Sequence, residues 1–313
     1  MTFSYIPKMV KNLDFIVIGA QKAGTTALYH YLKPSLEIYL PPEKEAPFFD
    51  RNQFYEKGWE WYINKYFTSV PKNRKWGTVT PSYMSDMRVP ERIYKEMPEV
   101  KLIALLRNPI DRAVSHYRMA VKRGDEKEEF SQILSKRLQP YYLNNNRILT
   151  GETKNYNSNR YFVLGEYGRI LEQYLSFFTK NNFLVVFSEN LLKYPKATLS
   201  KICNFLEIND NFQAPIHRRY HVGGTRKRFP WKGQEIVNNN ILNFFIKSLP
   251  NSRGELVKRR FLFWYDIWNT IPEEQSLILN KIDRKVLADF YYQDVSKLRR
   301  LLFPQLIPWE DFE

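Results

Sequence analysis

The apolar positions of this chain fall into short continuous runs separated by stretches with a helical period. Phe15–Gly19, Glu37–Leu40, Gly77–Thr80, Lys101–Leu106 and Phe183–Phe187 are brief and mostly apolar, as strands covered on both faces should be. Between them, Thr25–Lys33, Val89–Glu96, Pro109–Arg123 and Glu166–Phe178 repeat apolar residues every three to four positions. Pro109 suits the first helical position, with Asn108 before it as the cap. This alternation predicts an α/β fold: a P-loop-like parallel sheet flanked by helices on both faces, with ligands at the C-terminal ends of the strands. Residues 143–160 are polar and read as a long surface loop. Asn209–Gln234 is a second irregular stretch, rich in basic residues, glycine and proline. Beyond it the pattern is helical to the end, and the aromatic run Phe261–Trp268 reads as a terminal helix packed on the core, with a dimer face or a membrane-surface element as the alternatives. No repeat or linker divides the chain. It is expected to be one domain over 1–313, with a nucleotide-binding core at about 14–230 and a helical C-terminal extension at about 235–313.

Composition narrows the chemistry. Among 313 residues there is one cysteine, so a disulfide framework is excluded. Cys203 lies in the helical pattern Leu199–Leu206 and reads as a buried small hydrophobe. The four histidines lack a zinc-ligand spacing, and no metal is expected. No run of apolar residues is long enough to span a membrane, and the N-terminus lacks the apolar core of a signal peptide. A reducing, cytoplasmic setting is therefore expected. The net charge of +15 favours anionic partners. It is spread along the chain, which argues against a nucleic-acid-binding tail.

Three segments carry candidate chemistry. In the first, the apolar run Phe15–Gly19 enters Ala20-Gln21-Lys22-Ala23-Gly24-Thr25-Thr26. Gly19 and Gly24 have the spacing of a phosphate-cradling loop, but Thr25 stands where a nucleoside triphosphatase has lysine. Backbone amides can still surround an anion at the helix start. The missing lysine points to a nucleotide with a shorter anionic tail. In the second, Arg107-Asn108-Pro109-Ile110-Asp111-Arg112-Ala113-Val114-Ser115-His116 puts an arginine at a strand end and a serine on the following helix. Together they can hold a second phosphate. In the third, Gly223-Gly224-Thr225-Arg226-Lys227-Arg228 is a loop able to close on an anion.

In order and spacing these segments resemble the sulfotransferases that use 3′-phosphoadenosine 5′-phosphosulfate (PAPS) and release 3′-phosphoadenosine 5′-phosphate (PAP). The resemblance covers about residues 14–230. It is nearest to the branch that sulfates glycans of the heparan type, through the Lys-x-Gly-Thr-Thr loop, the segment Pro41-Pro42-Glu43-Lys44-Glu45-Ala46-Pro47-Phe48-Phe49 and Gly165-Glu166-Tyr167. The resemblance implies that Gln21, Lys22, Ala23, Gly24, Thr25 and Thr26 cradle the 5′-phosphosulfate. It implies that Arg107 and Ser115 bind the 3′-phosphate, and that Gly224, Thr225, Arg226, Lys227 and Arg228 close over the nucleotide. Lys22 would stabilise the leaving oxygen. Glu45 is the candidate base for the acceptor, with Glu43 and His116 as rivals, and Ser82 and Tyr83 would contact the substrate. The expected reaction is sulfuryl transfer, without a metal, to a hydroxyl or amine of a carbohydrate or small metabolite. A kinase-like enzyme using ATP and a non-catalytic polyanion-binding protein are the alternatives.

Overall fold

The computed structural model describes residues 12–68, 71, 73–148, 150, 160–218, 225–227, 270–272 and 279–313. Five strands form a parallel sheet: β1 (Phe15–Gly19), β2 (Ile38–Tyr39), β3 (Lys75–Val79), β4 (Lys101–Leu106) and β5 (Phe183–Phe187), in the order β2-β3-β1-β4-β5. β1 is buried along its whole length, which is why it reads as unbroken apolar sequence. From β1 the chain runs to β2 and β3 on one side and then crosses to β4 on the other. The ends of β1 and β4 therefore flank a topological switch point, where open α/β sheets bind ligands.

Helices flank the sheet. α1 (Thr25–Leu32) follows β1; α2 (Asn52–Tyr55) and α3 (Trp59–Tyr66) precede β3. Next come α4 (Val89–Glu96), α5 (Pro109–Arg123), α6 (Phe130–Arg137), α7 (Pro140–Arg147), α8 (Tyr167–Leu175), α9 (Ser188–Lys193), α10 (Pro195–Leu206) and α11 (Lys281–Leu302). Cys203 is fully buried in α10, as its pattern predicts. Phe48, Phe49, Trp59, Tyr62 and Tyr83 stack against one another beside the sheet. α11 crosses α8 so closely that a Cβ on Gly168 would stand 2.3 Å from the Asp294 carbonyl oxygen. The Asp294 carboxylate accepts the Gly168 and Arg169 amides, both at 2.8 Å, and so caps α8 from another helix.

The structure corrects three expectations. The first part of 143–160 is not loop: α7, opened by Pro140, runs through Arg147. The C-terminal region is not wholly helical, because Thr270–Pro272 pairs antiparallel with Thr225–Lys227 as a two-stranded ribbon, β6 and β7. Strand Gly77–Thr80 begins two residues earlier, at Lys75, where β2 provides a partner. Residues 261–268 lie outside the described residues. Among the described residues no helix is long and apolar enough to cross a membrane.

Candidate active site

The glycine-bounded loop springs from the buried end of β1. Ala20 N donates to the Leu105 carbonyl at 2.7 Å, so the loop leaves the sheet tied to β4. Lys22 (φ 73°) and Gly24 (φ 95°) are left-handed. For lysine that conformation is uncommon, and where it persists the surroundings hold it. Ser188, the first residue of α9, is one such hold: its Oγ donates to the Ala23 carbonyl at 2.7 Å. The turn delivers the chain into α1 through Gly24, which offers no side-chain cap, and the first amides of a helix, here including those of Thr25 and Thr26, have no partner within the helix. Gln21–Thr26, expected as the cradle, thus form a left-handed turn that leads into the first turn of α1.

Cations converge on it. The Lys22 ammonium lies against Met119 on α5, Nζ to Sδ 3.5 Å, and Arg107 Nη1 donates to the Lys22 carbonyl at 3.3 Å. Burial, and then the charges of Arg123, Arg107, Arg112 and Lys122, pull the Lys22 pKa down to about 8. Arg107 ends β4. Asn108 caps α5 with its Oδ1 on the amides of Ile110 and Asp111, as predicted. Ser115 is half-buried on α5, and β6 runs beside that helix. The backbone of Thr225, Arg226 and Lys227 is thereby brought to the helix that carries the second segment, whereas Gly224 and Arg228 lie outside the described residues.

His116 is placed differently from the other candidates. It is fully buried, edge-on to Tyr161 at 5.0 Å, with Nδ1 3.4 Å from the Arg112 guanidinium. An acceptor hydroxyl in solvent has no access to it. Glu45 is exposed, with 56% of its side chain open to solvent, and pairs with Lys44 at 2.8 Å; Glu43 is exposed too.

The segment bearing both glutamates is pinned at two points. Tyr29 of α1 donates to the Pro41 carbonyl at 2.7 Å. Ala46 N donates to Thr80 Oγ1 at 3.2 Å, and the Tyr83 hydroxyl donates to the Ala46 carbonyl at 2.7 Å. The structure thus joins the Glu45 segment to the Ser82-Tyr83 turn, which the sequence gives no means of pairing. Tyr83, expected to contact the substrate, is fully buried with its hydroxyl committed to the Ala46 carbonyl, and so props the segment. Ser82 remains half-exposed.

Two groups near these segments escaped the sequence reading. Glu189 accepts the Asn108 amide at 2.8 Å; its place just after β5 was the available signal, because strand ends in such sheets face ligands. Asp50, directly after Phe48-Phe49, is fully buried. Burial pushes its carboxyl up, against the opposing pull of the Ser82 hydroxyl and Arg51.

The comparisons with known proteins agree with this geometry. The family model described as "Sulfotransferase domain" matches residues 12–221. The chain is similar to human heparan sulfate glucosamine 3-O-sulfotransferase 5, 30% identical over 244 residues, covering 77% of this chain and 63% of that protein. It is also similar to bovine bifunctional heparan sulfate N-deacetylase/N-sulfotransferase 2, 30% identical over 284 residues, covering 87% of this chain and 30% of that protein. The chain thus spans less than two thirds of the length of these relatives. Among solved structures, a sulfotransferase from Alicyclobacillus acidocaldarius has the same fold, with a TM-score of 0.65 at 21% identity, covering 95% of this chain and 98% of that one.

Proposed function

The chain belongs to the sulfotransferase domain family, and on that premise we propose that it moves a sulfuryl group from PAPS to a hydroxyl or amine on a carbohydrate acceptor. The observation that carries this reading is the left-handed loop at the β1–β4 switch point, which holds Lys22 and is gripped by Arg107, with the charges of Arg112, Lys122 and Arg123 near enough to lower the Lys22 pKa. Helix-start amides with cations beside them are what an anion with two separated charged groups requires. The donor supplies a sulfuryl group whose transfer leaves negative charge on a phosphate oxygen. Lys22 meets that charge, and its lowered pKa makes it a better proton donor than an ordinary lysine. Arg107 and Ser115 hold the 3′-phosphate, and Thr225, Arg226 and Lys227 on β6 meet the nucleotide beside them.

On the acceptor side, Glu45 removes the proton of the attacking group. Its exposure supports this role, and the anchors at Pro41 and Ala46 give its segment a fixed path. The named relatives act on heparan sulfate, and a net charge of +15 suits an acidic polysaccharide. An acidic, glucosamine-containing glycan is therefore the acceptor class to try first.

The test begins with calorimetric binding of PAP, with ATP plus magnesium in parallel. Micromolar-range PAP binding with little ATP binding is the expected result, to be followed by transfer from PAPS to heparan-type oligosaccharides. ATP binding in preference to PAP would replace this reading with the kinase-like one. Binding of neither would leave a polyanion-binding protein.

A further inference from the structure

The last residues of the chain carry no motif, yet they reach the strand end where Arg107 sits. Trp309, almost fully buried, packs against Tyr167 at 5.8 Å and Phe187 at 5.6 Å between ring centres. Tyr167 in turn lies beside Arg112 and the backbone of Arg107. Two residues further on, Asp311 Oδ2 accepts the Asn108 Nδ2 at 2.7 Å. Arg284 of α11 grips the same carboxylate in bidentate fashion, Nε to Oδ1 2.7 Å and Nη2 to Oδ2 2.6 Å, and reaches Asp111 on α5 at 3.0 Å. Burial pulls the Asp311 carboxyl up, but the hydrogen bonds of Arg284 and Asn108 outweigh it and hold the group below the usual range. Asn108 is thus fixed from three directions: by Glu189 on its amide, by its own cap on α5, and by Asp311 on its side-chain amide. The Asn108 Oδ1 that caps α5 is oriented by the Nδ2 that Asp311 holds, because the two share one planar amide.

We propose that Asp311, clamped by Arg284, is a positioning residue of the donor site: through Asn108 it sets the Arg107–Pro109 turn and with it the recognition of the nucleotide's 3′-phosphate. This inference rests on the PAPS reading above. A flat, planar-amide contact transmits orientation efficiently, and a guanidinium at a strand end loses much of its phosphate affinity when its backbone is left to wander. Serving the 3′-phosphate alone, the contact should act on one part of the nucleotide and spare the rest.

The experiment measures calorimetric affinities of the full chain for PAP and for 5′-AMP, with thermal unfolding alongside. The unaltered protein is expected to prefer PAP. In Asp311→Ala the PAP Kd should rise about tenfold, the size of a partly lost charge-assisted hydrogen bond, while that for 5′-AMP changes by less than about twofold. Arg284→Gln, which frees the carboxylate without opening a cavity, should shift the ratio in the same direction and decides alone if Asp311→Ala does not fold. Asp311→Asn, which keeps an acceptor for Nδ2, should recover part of the discrimination. An unaltered PAP to 5′-AMP ratio in Asp311→Ala and Arg284→Gln, whatever happens to Tm, overturns the proposal and leaves the tail a purely structural clasp. A starting protein with no preference for PAP overturns the donor reading itself, and this inference with it.

Discussion

At Lys22 both the backbone and the charge oppose folding. A left-handed φ on a non-glycine residue costs roughly 1–2 kcal/mol. Its pKa falls from the ordinary 10.5 to about 8, so the folded state disfavours the charged form. The sign follows: this cost is absent above the ordinary lysine range and fully present below pH about 8, where it amounts to roughly 3–4 kcal/mol. Natural chains keep such residues where function demands them. Lys22→Met should therefore abolish transfer and leave Tm at neutral pH unchanged or raised, with most PAP affinity retained because the 3′-phosphate clamp proposed at Arg107 and Ser115 is separate. Full transfer activity in that variant, or a Tm drop of several degrees, would count against the leaving-group role. The same shift gives a second readout. Near pH 8 an arriving anion should restore the missing proton, so PAP binding should take up as much as about half a proton. Calorimetry in buffers of different ionisation enthalpy measures this, and Lys22→Met should erase it.

At the scale of elements, function depends on irregular segments tied to regular ones. The Pro41–Phe49 stretch has no secondary structure that would fix it, so its path is set by Tyr29 on α1 and by Thr80 and Tyr83 after β3. Tyr83→Phe removes one buried hydrogen bond and leaves the Ala46 carbonyl unmatched, a change of roughly 1–3 kcal/mol. The expected outcome is a rise of about three- to tenfold in KM for the acceptor, with the PAP Kd unaltered. An equal change in both constants would show that the segment does not serve the acceptor alone. Helix ends were legible in the sequence where a local signal marks them. Asn108-Pro109 opens α5, and Gly124, left-handed at φ 78°, closes it. α7 was not legible: Asn144, Asn145 and Asn146 carry no helical preference, and the helix is held by Leu143 and Asn146, both buried, and by Arg147 on Glu166.

At the scale of the whole molecule, the surplus of positive charge acts on encounter more than on fold. If the acceptor is a polyanionic glycan, its KM should climb steeply with added salt. Lys22 is largely desolvated, so PAP affinity should fall less steeply. Parallel slopes for the two ligands would argue that both meet an open surface. The parallel sheet, β1, β4, β5 and the glycine-bounded loop were legible in the sequence because each is a local pattern: a buried strand must be apolar throughout, and a loop that turns left-handed needs glycine at Gly24. The sequence by itself therefore determined the fold class and the glycine-bounded loop that carries Lys22. Only the tertiary structure decided that His116 is enclosed while Glu45 is open, that Tyr83 is a prop, and that Asp311 reaches Asn108, 203 positions away along the chain. The physical reason is the range of the forces involved. Hydrophobic periodicity and backbone torsion act over a few residues and leave their mark on the string. Burial and hydrogen-bond pairing depend on which distant segments the finished packing brings together, and no single segment records its partner.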